Sequence, residues 1–299
     1  MKVVVTGGAG FIGSALVRHL RAAGHEAVAT DVRRCDGPSS PVRRADTLDM
    51  DQVAGTVAGA DAVYHLAGPV LDAARRDPFG ASRLQLWGTL NVLEACRIAG
   101  VAKLLLASSF YVYDGLPADD IVNESSRLDP ARMELFGSLK LAAEQMVLGY
   151  ARNFGLRFVV LRFGSAYGDG EGSNLVKEFL DAGFEGRPLD VWGRGLRSNQ
   201  YTSVEDIARG SVAALNVDDE IVNLVSPEET STGELARLMC RQYGFEMRLL
   251  PDRPEGADLP YMSSRKAERL LGWSATPLEE ALAALAAGRA PAAAGGMGT

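Results

Sequence analysis

Residues 3–13 read Val3-Val4-Val5-Thr6-Gly7-Gly8-Ala9-Gly10-Phe11-Ile12-Gly13, an apolar run followed at once by a glycine-rich turn and an amphipathic segment. Glycines spaced as Gly8-x-Gly10-x-x-Gly13 between a strand and a helix are typical of a turn that binds a dinucleotide pyrophosphate. The glycines let the backbone turn sharply and approach the anion, and the amides of the helix N-terminus stabilise its charge. The stretch therefore predicts a dinucleotide site at the first strand–helix turn.

Asp31 follows the second predicted strand, at residues 27–30, and comes 18 residues after Gly13. A carboxylate at this place accepts hydrogen bonds from the adenosine ribose hydroxyls and repels a 2′-phosphate, which favours NAD over NADP. Arg33 and Arg34 come next in the chain. Because an arginine beside this site is able to accommodate the phosphate, NADP stays as the less favoured alternative.

Short apolar runs alternate with longer segments of helical period along the first half of the chain. The predicted strands lie at 3–5, 27–30, 62–66, 104–107 and 158–161, and the predicted helices at 11–23, 84–99 and 135–150. Strands that are apolar throughout are typical of a parallel sheet covered by helices on both faces. We therefore predict an α/β fold, a doubly wound parallel sheet of the Rossmann type with a smaller C-terminal substrate-binding portion.

The pattern loosens after Gly168, where glycine and proline become frequent. We predict a dinucleotide-binding domain at 1–167, with a return to the sheet near 201–225. The substrate-binding portion is expected at 168–200 and 226–290. The Ala/Gly-rich tail at 291–299 has nothing to pack and is predicted to be disordered.

The composition of the 299 residues is that of an ordinary globular protein, with 47% hydrophobic and 23% charged residues. A net charge of −7 argues against a nucleic-acid partner, because phosphate binding needs a basic surface. No apolar run approaches the roughly 20 residues that span a bilayer, so we expect no membrane partner. The three cysteines lack metal-ligand spacing and no metal site is predicted. The expected location is cytoplasmic.

Further motifs occur in a fixed order along the chain and resemble those of the extended short-chain dehydrogenase/reductases, specifically the NAD-dependent nucleotide-sugar epimerases and dehydratases. The matching segments are residues 6–13, 45–47, 64–68, 88–95, 107–113, 204–206 and 271–273. The resemblance covers nearly all of residues 1–288. It implies NAD contacts at Gly7, Gly10, Phe11, Ile12, Gly13, Asp31, Arg33, Asp46, Thr47, Leu66, Ala67, Gly68 and Lys140.

The family's catalytic groups are a serine or threonine, a tyrosine and a lysine, and the resemblance places the serine at Ser109 and the lysine at Lys140. The family's Tyr-x-x-x-Lys spacing puts both side chains on one helix face, where the lysine charge stabilises a phenolate. The tyrosine position here is Phe136, which keeps the ring but has no oxygen. Three explanations stay open. The tyrosine has been replaced deliberately, another group such as Tyr111 carries the proton, or the protein binds cofactor without turnover.

The resemblance implies substrate contacts at Ser109, Tyr111, Ser165, Asn174 and Asn199. Ser165 stands where relatives have an asparagine, and Asn199 stands where they have an arginine near the substrate diphosphate. These departures are compatible with a nucleotide-linked sugar, a modified one or another polyhydroxylated substrate.

The expected function is therefore epimerisation or dehydration of a sugar through transient hydride transfer to bound NAD. One alternative is a net NAD(P)-dependent dehydrogenase or reductase of a polyhydroxylated small molecule, and another is a non-catalytic dinucleotide-binding protein. Relatives commonly pair as homodimers through two helices of each subunit. The resemblance places these helices near 84–99 and 139–150.

Overall fold

The computed structural model describes residues 1–33, 42–170, 174–256 and 258–287. Within these residues seven parallel strands form the main sheet: β1 (Lys2–Thr6), β2 (Glu26–Asp31), β3 (Val42–Arg44), β4 (Ala62–His65), β5 (Lys103–Ser109), β7 (Arg157–Phe163) and β12 (Glu220–Leu224). Their order across the sheet is β12-β7-β5-β4-β1-β2-β3. The chain moves outward from β1 to β3 and then returns to β4 on the other side of β1. This reversal opens a crevice at the carboxyl ends of β1 and β4, where ligands bind in such sheets.

The helices of the described residues are α1 (Phe11–Ala22), α2 (Met50–Val57), α3 (Leu71–Arg76), α4 (Pro78–Ser82), α5 (Gly88–Ala99), α6 (Leu135–Phe154), α7 (Leu175–Phe184), α8 (Val204–Ala213), α9 (Thr232–Tyr243), α10 (Arg265–Leu271) and α11 (Leu278–Ala287). A π-helical turn at Arg83–Trp87 precedes α5, and a 3₁₀ turn at Phe110–Tyr113 follows β5. None of these helices is both long enough and apolar enough to cross a membrane.

The valines of β1 show why the sheet is covered on both faces. Val3 and Val5 point to one side and pack with Leu16 of α1, while Val4 points to the other and packs with Val53 of α2. Successive side chains of a strand alternate between faces, so a strand that is apolar throughout needs helices on both sides. The predicted doubly wound parallel sheet is confirmed.

Two predicted helices differ in detail from the structure. The segment predicted at 84–99 starts as the π-helical turn, and only from Gly88 is it an α-helix. The segment predicted at 135–150 continues to Phe154, where Gly155 ends it with a φ of +71°. A left-handed residue of this kind closes many helices, and glycine adopts it without a steric penalty.

Eight short strands of the described residues pair around the main sheet, and all but the first of them lie in the C-terminal half. They are β6 (Ile121–Val122) with β15 (Tyr261–Met262), β8 (Ser165–Tyr167) with β11 (Tyr201–Ser203), β9 (Leu189–Trp192) with β14 (Met247–Leu250), and β10 (Ser198–Asn199) with β13 (Thr230–Ser231). Helices α7, α9 and α11 pack around a separate apolar cluster that includes Phe179, Leu235 and Leu282. The domain boundaries at 167, 200, 225 and 290 stay a prediction. The predicted tail at 291–299 lies outside the described residues, as does Arg34.

Candidate active site

The glycine turn joins β1 to α1 with no room for side chains. A Cβ atom on Gly13 would lie 2.1 Å from the Gly7 carbonyl oxygen, and one on Gly7 would lie 2.7 Å from the Ala67 amide nitrogen. No side chain caps the N-terminus of α1 at Gly10, and the first turn of this helix contains no acidic residue. The turn therefore presents backbone amides and the positive end of a helix, which suits a pyrophosphate.

Asp31 ends β2 beside this turn and is buried. Its carboxylate accepts hydrogen bonds from the Ala9 amide at 3.3 Å and from the Arg33 amide at 3.1 Å. The Arg33 side chain folds back, with Nε 3.3 Å from the Asp31 carboxylate and Nη2 3.0 Å from the Ala9 carbonyl oxygen. The structure therefore brings the predicted ribose-binding carboxylate and the predicted arginine to the same corner of the turn.

The next group of predicted cofactor residues lies on the neighbouring strand ends. Asp46 accepts a hydrogen bond from the Leu48 amide at 2.9 Å and shapes the turn before α2. The Thr47 carbonyl oxygen accepts one from Asn91 of α5 at 2.9 Å. The Leu66 amide continues the β4 ladder by donating to the Thr6 carbonyl oxygen at 3.1 Å. Ala67 and Gly68 follow, and the Ala67 backbone runs directly past the glycine turn.

Gln85, in the π-helical turn, carries a buried amide oxygen without a hydrogen-bond partner in the described structure. A Cβ atom on Gly68 would lie 2.9 Å from this oxygen and 3.4 Å from the Lys140 Nζ. A buried acceptor without a partner costs free energy unless a ligand or water satisfies it. Together with the glycine turn and Asp31, this oxygen fits a bound dinucleotide that reaches from α1 to Lys140.

Ser109 is the last residue of β5, and Phe136 and Lys140 lie on α6, which packs against this strand; each of the three is 8% exposed. The Lys140 Nζ donates to the Ala107 carbonyl oxygen at 3.3 Å and lies 5.7 Å from the centre of the Phe136 ring. Burial lowers the pKa of Lys140 to about 8, and the charge of Glu144 opposes this decrease. The arrangement gives a lysine and a serine suitable for a redox site, but no oxygen at position 136.

Two tyrosines follow Ser109 and differ in how their hydroxyl groups are used. The Tyr113 hydroxyl is buried between Arg162 Nη1 and Asn223 Oδ1, each at 2.9 Å. The Tyr111 hydroxyl has no hydrogen-bond partner among the described residues, and the Tyr111 ring packs against Phe136. Burial raises the pKa of Tyr111, while the charges of Arg197 and Arg75 act in the opposite direction. Of the two tyrosines of this turn, Tyr111 is therefore the one whose hydroxyl group is not already bonded within the described residues.

Two of the three remaining substrate residues are brought together. Asn199 Nδ2 donates to the Ser165 hydroxyl at 3.2 Å, across the ends of β10 and β8. Asn174 is used locally, because its Oδ1 accepts the Lys177 amide at 3.0 Å and caps α7. Within the described part of the chain, no hydrogen bond joins Asn174 to Ser165 or to Asn199.

A cavity of about 970 Å³ lies away from these residues, at the β12 edge of the sheet. Its walls include Glu124, Glu220, Tyr261 and Lys266, and none of the predicted site residues. Glu124 accepts the Asn223 amide at 2.7 Å, so its carboxylate serves to hold the edge strand. The chemistry is therefore expected in the crevice above β1, β4 and β5 and not in this cavity.

Two residues of the site were not predicted from the sequence. They are Gln85 and Glu144, which flank Lys140 from the π-helical turn and from the next turn of α6. Nothing in the local sequence distinguishes Gln85 from a surface glutamine. Glu144 has one signal, since it follows Lys140 by four residues and so shares its helix face.

The chain is similar in sequence and in structure to NAD-dependent enzymes that act on nucleotide sugars. The sequence profile of the "NAD dependent epimerase/dehydratase family" matches residues 3–225. UDP-glucuronic acid decarboxylase 1 from Xenopus tropicalis is 30% identical over 298 residues, covering 94% of this chain and 70% of that protein. Among solved structures, MoeE5 in complex with UDP-glucuronic acid and NAD superposes with a TM-score of 0.84 at 28% identity, covering 95% of this chain and 97% of that chain. The UDP-glucose 4-epimerase of Thermus thermophilus in complex with NAD superposes with a TM-score of 0.81 at 28% identity, covering 94% of this chain and 96% of that chain.

Proposed function

The chain belongs to the NAD-dependent epimerase/dehydratase family, and from this premise we propose that it epimerises or dehydrates a nucleotide-linked sugar. Bound NAD supplies a hydride acceptor that returns the hydride before the product leaves. The observation that carries the proposal is the hydrogen bond from Lys140 Nζ to the Ala107 carbonyl oxygen, two residues before Ser109 at the carboxyl end of β5, on the same sheet edge as the glycine turn. The relatives that bind UDP-glucuronic acid or act on UDP-glucose support a UDP-linked hexose or hexuronic acid as the first substrate to test.

The proposed cofactor contacts follow from the fit described above. The uncapped amides of α1 and the turn at Gly7, Gly10 and Gly13 would hold the pyrophosphate, with Phe11 and Ile12 beside it. Asp31 would hold the adenosine ribose. Lys140 and the unsatisfied oxygen of Gln85 would hold the nicotinamide ribose end.

For the substrate, we propose that Ser109 hydrogen-bonds the reacting oxygen and that Tyr111 carries the proton. Two features support Tyr111: its hydroxyl group has no partner among the described residues, and its ring lies against Phe136, which occupies the family's tyrosine position. The Ser165–Asn199 pair would bind the remainder of the sugar nucleotide, and Asn174 would orient the start of α7. The segments at 168–200 and 226–290 would then form the substrate-binding portion.

The test is incubation of the purified protein with NAD and either UDP-glucose or UDP-glucuronic acid, with products identified by NMR. We expect a changed sugar and no NADH beyond the amount of enzyme. Accumulation of NADH in large excess over the enzyme would favour the net dehydrogenase. NAD binding without turnover, both in this chain and after Phe136→Tyr, would favour the non-catalytic alternative.

We also propose a homodimer in which α5 and α6 of each subunit pack together. The exposed apolar side chains of this region support it, because Trp87 is 56%, Ile98 64% and Phe154 56% exposed. Light scattering tests the proposal: Ile98→Glu with Phe154→Glu should give a monomer, whereas Leu249→Glu, at an exposed leucine of β14, should not change the mass.

A further inference from the structure

Side chains of helix α6 form hydrogen bonds with two consecutive residues of β5. The Ala107 carbonyl oxygen accepts the Lys140 ammonium at 3.3 Å, and the Ser108 hydroxyl donates to Glu144 Oε1. Ser109, the next residue, is the predicted catalytic serine. Because Lys140 and Glu144 are four residues apart, they lie on the same face of α6. The Glu144–Ser108 bond therefore sets the position of the lysine relative to the serine.

Glu144 is itself held by Arg162 of the adjacent strand β7. The guanidinium forms two bonds to the carboxylate, Nε to Oε1 at 3.0 Å and Nη2 to Oε2 at 2.7 Å. Glu144 is 1% exposed and Arg162 4% exposed. A buried ion pair adds little net stability compared with apolar residues of similar volume, so stability alone does not account for a charge at this place.

Among the described residues, Glu144 is the carboxylate whose charge raises the pKa of Lys140. The other groups that face Lys140 carry no negative charge. His65 on β4 is neutral, because burial and the Lys140 charge lower its pKa to about 3. The π-helical turn contributes the uncharged amide of Gln85, and α6 contributes the Phe136 ring. The Arg162 charge is paired with Glu144. In these surroundings a negative charge one helical turn away favours the protonated form of the lysine.

We propose that Glu144, fixed by Ser108 and Arg162, is a positioning residue that keeps Lys140 protonated and directed towards the carboxyl end of β5. The consequence for turnover rests on the role of Lys140 in the proposed function. The protonation state of Lys140 is independent of the proposed function, because it is a property of the protein without substrate or cofactor.

The chain contains five lysines, so the titration of each side chain is accessible by NMR after labelling the lysine side chains with ¹³C. Loss of one signal in Lys140→Arg assigns the resonance. In Glu144→Gln we expect the midpoint of Lys140 to fall by about one pH unit or more relative to the unaltered protein. Glu144→Asp keeps the charge and should restore part of the shift. Glu94→Gln, which removes a carboxylate paired with Arg97 on α5, is the matched control and should leave the midpoint unchanged.

An unchanged Lys140 midpoint in Glu144→Gln would overturn the proposal, whatever happens to the activity. If Glu144→Gln does not fold, Ser108→Ala keeps both charges and removes the hydrogen bond from Ser108 that fixes the Glu144 carboxylate. A lowered Lys140 midpoint in Ser108→Ala then supports the proposal and an unchanged one overturns it. Failure of every nucleotide sugar as a substrate would contradict the proposed function and leave the titration result standing.

Discussion

The Phe136 ring meets the Tyr111 ring edge-on, with ring centres 5.5 Å apart and planes at 81°. The aromatic ring at the family's tyrosine position is therefore retained without its oxygen, and the ring packed against it bears a hydroxyl. Lys140 also contacts Phe136, with its Nζ 5.7 Å from the ring centre. This geometry leads to predictions that separate the two aromatic positions.

Tyr111→Phe should lower kcat for the nucleotide sugar by about 10²-fold, because a positioned acid–base group contributes about 10²–10⁴-fold. Tyr113→Phe is the matched control. Its hydroxyl bonds Arg162 and Asn223, so its loss should reduce stability by about 1–3 kcal/mol and change kcat much less. Steady-state kinetics and urea unfolding measure the two effects. Equal kcat losses in both variants would argue against proton transfer by Tyr111.

The pH dependence should distinguish Tyr111 from a tyrosine restored at position 136. A phenol must be ionised to accept the substrate's proton, and burial raises the pKa of Tyr111. The rate of the unaltered chain should therefore increase with pH through the neutral range, up to about pH 8, where Lys140 loses its charge. In Phe136→Tyr the new phenol lies beside the Lys140 charge, so the increase should occur at lower pH and the rate near neutrality should be higher. Identical profiles of kcat against pH would contradict this assignment.

Gly13→Ala should disrupt the glycine turn, because the added Cβ would lie 2.1 Å from the Gly7 carbonyl oxygen. We expect a loss of about 2–3 kcal/mol of stability and at least about tenfold weaker NAD binding. Gly55→Ala is the matched control, since a Cβ at this position of α2 meets no atom within 4 Å. It should stabilise the protein by about 0.5–1 kcal/mol. Calorimetry of NAD binding and thermal unfolding provide both readouts.

Asp31→Ala should reduce the preference for NAD over NADP. The carboxylate borders the predicted ribose site, and Arg33 Nε lies 3.3 Å from it. Removal of the carboxylate allows the guanidinium to pair with a 2′-phosphate. The ratio of the two dissociation constants, measured by calorimetry, should move towards NADP. A ratio that stays the same would place the ribose elsewhere.

Lys140→Met should stabilise the folded protein while weakening NAD binding. The folded pKa of Lys140 is about 8, below its ordinary value of 10.5, so the buried charge costs folding free energy at pH values below about 8. The unfolded chain binds more protons between these two values, so the cost decreases as the pH rises from about 8 to 10.5. We expect a gain of about 2–3 kcal/mol at neutral pH that becomes small near pH 10. Urea unfolding at both pH values checks this, and a gain independent of pH would contradict it.

Much of the fold and part of the site follow from local sequence. The first βαβ unit is predicted by the apolar run Val3–Val5, the glycines that follow it and Asp31. These signals are readable from sequence because they reflect the backbone geometry of neighbouring residues. The four-residue spacing of Phe136 and Lys140 likewise predicts a shared helix face, which the structure has in α6. The sequence alone also determined that position 136 has no oxygen to exchange a proton.

Tertiary structure decided what surrounds these groups. Tyr111 and Tyr113 are two residues apart, and only packing against Asn223, 110 residues after Tyr113, shows which of the two hydroxyls is already bonded. The unsatisfied oxygen of Gln85 and the Glu144–Arg162 pair also depend on which strands lie side by side. Hydrogen bonding and burial arise from contacts between distant segments, so residue spacing along one segment does not reveal them.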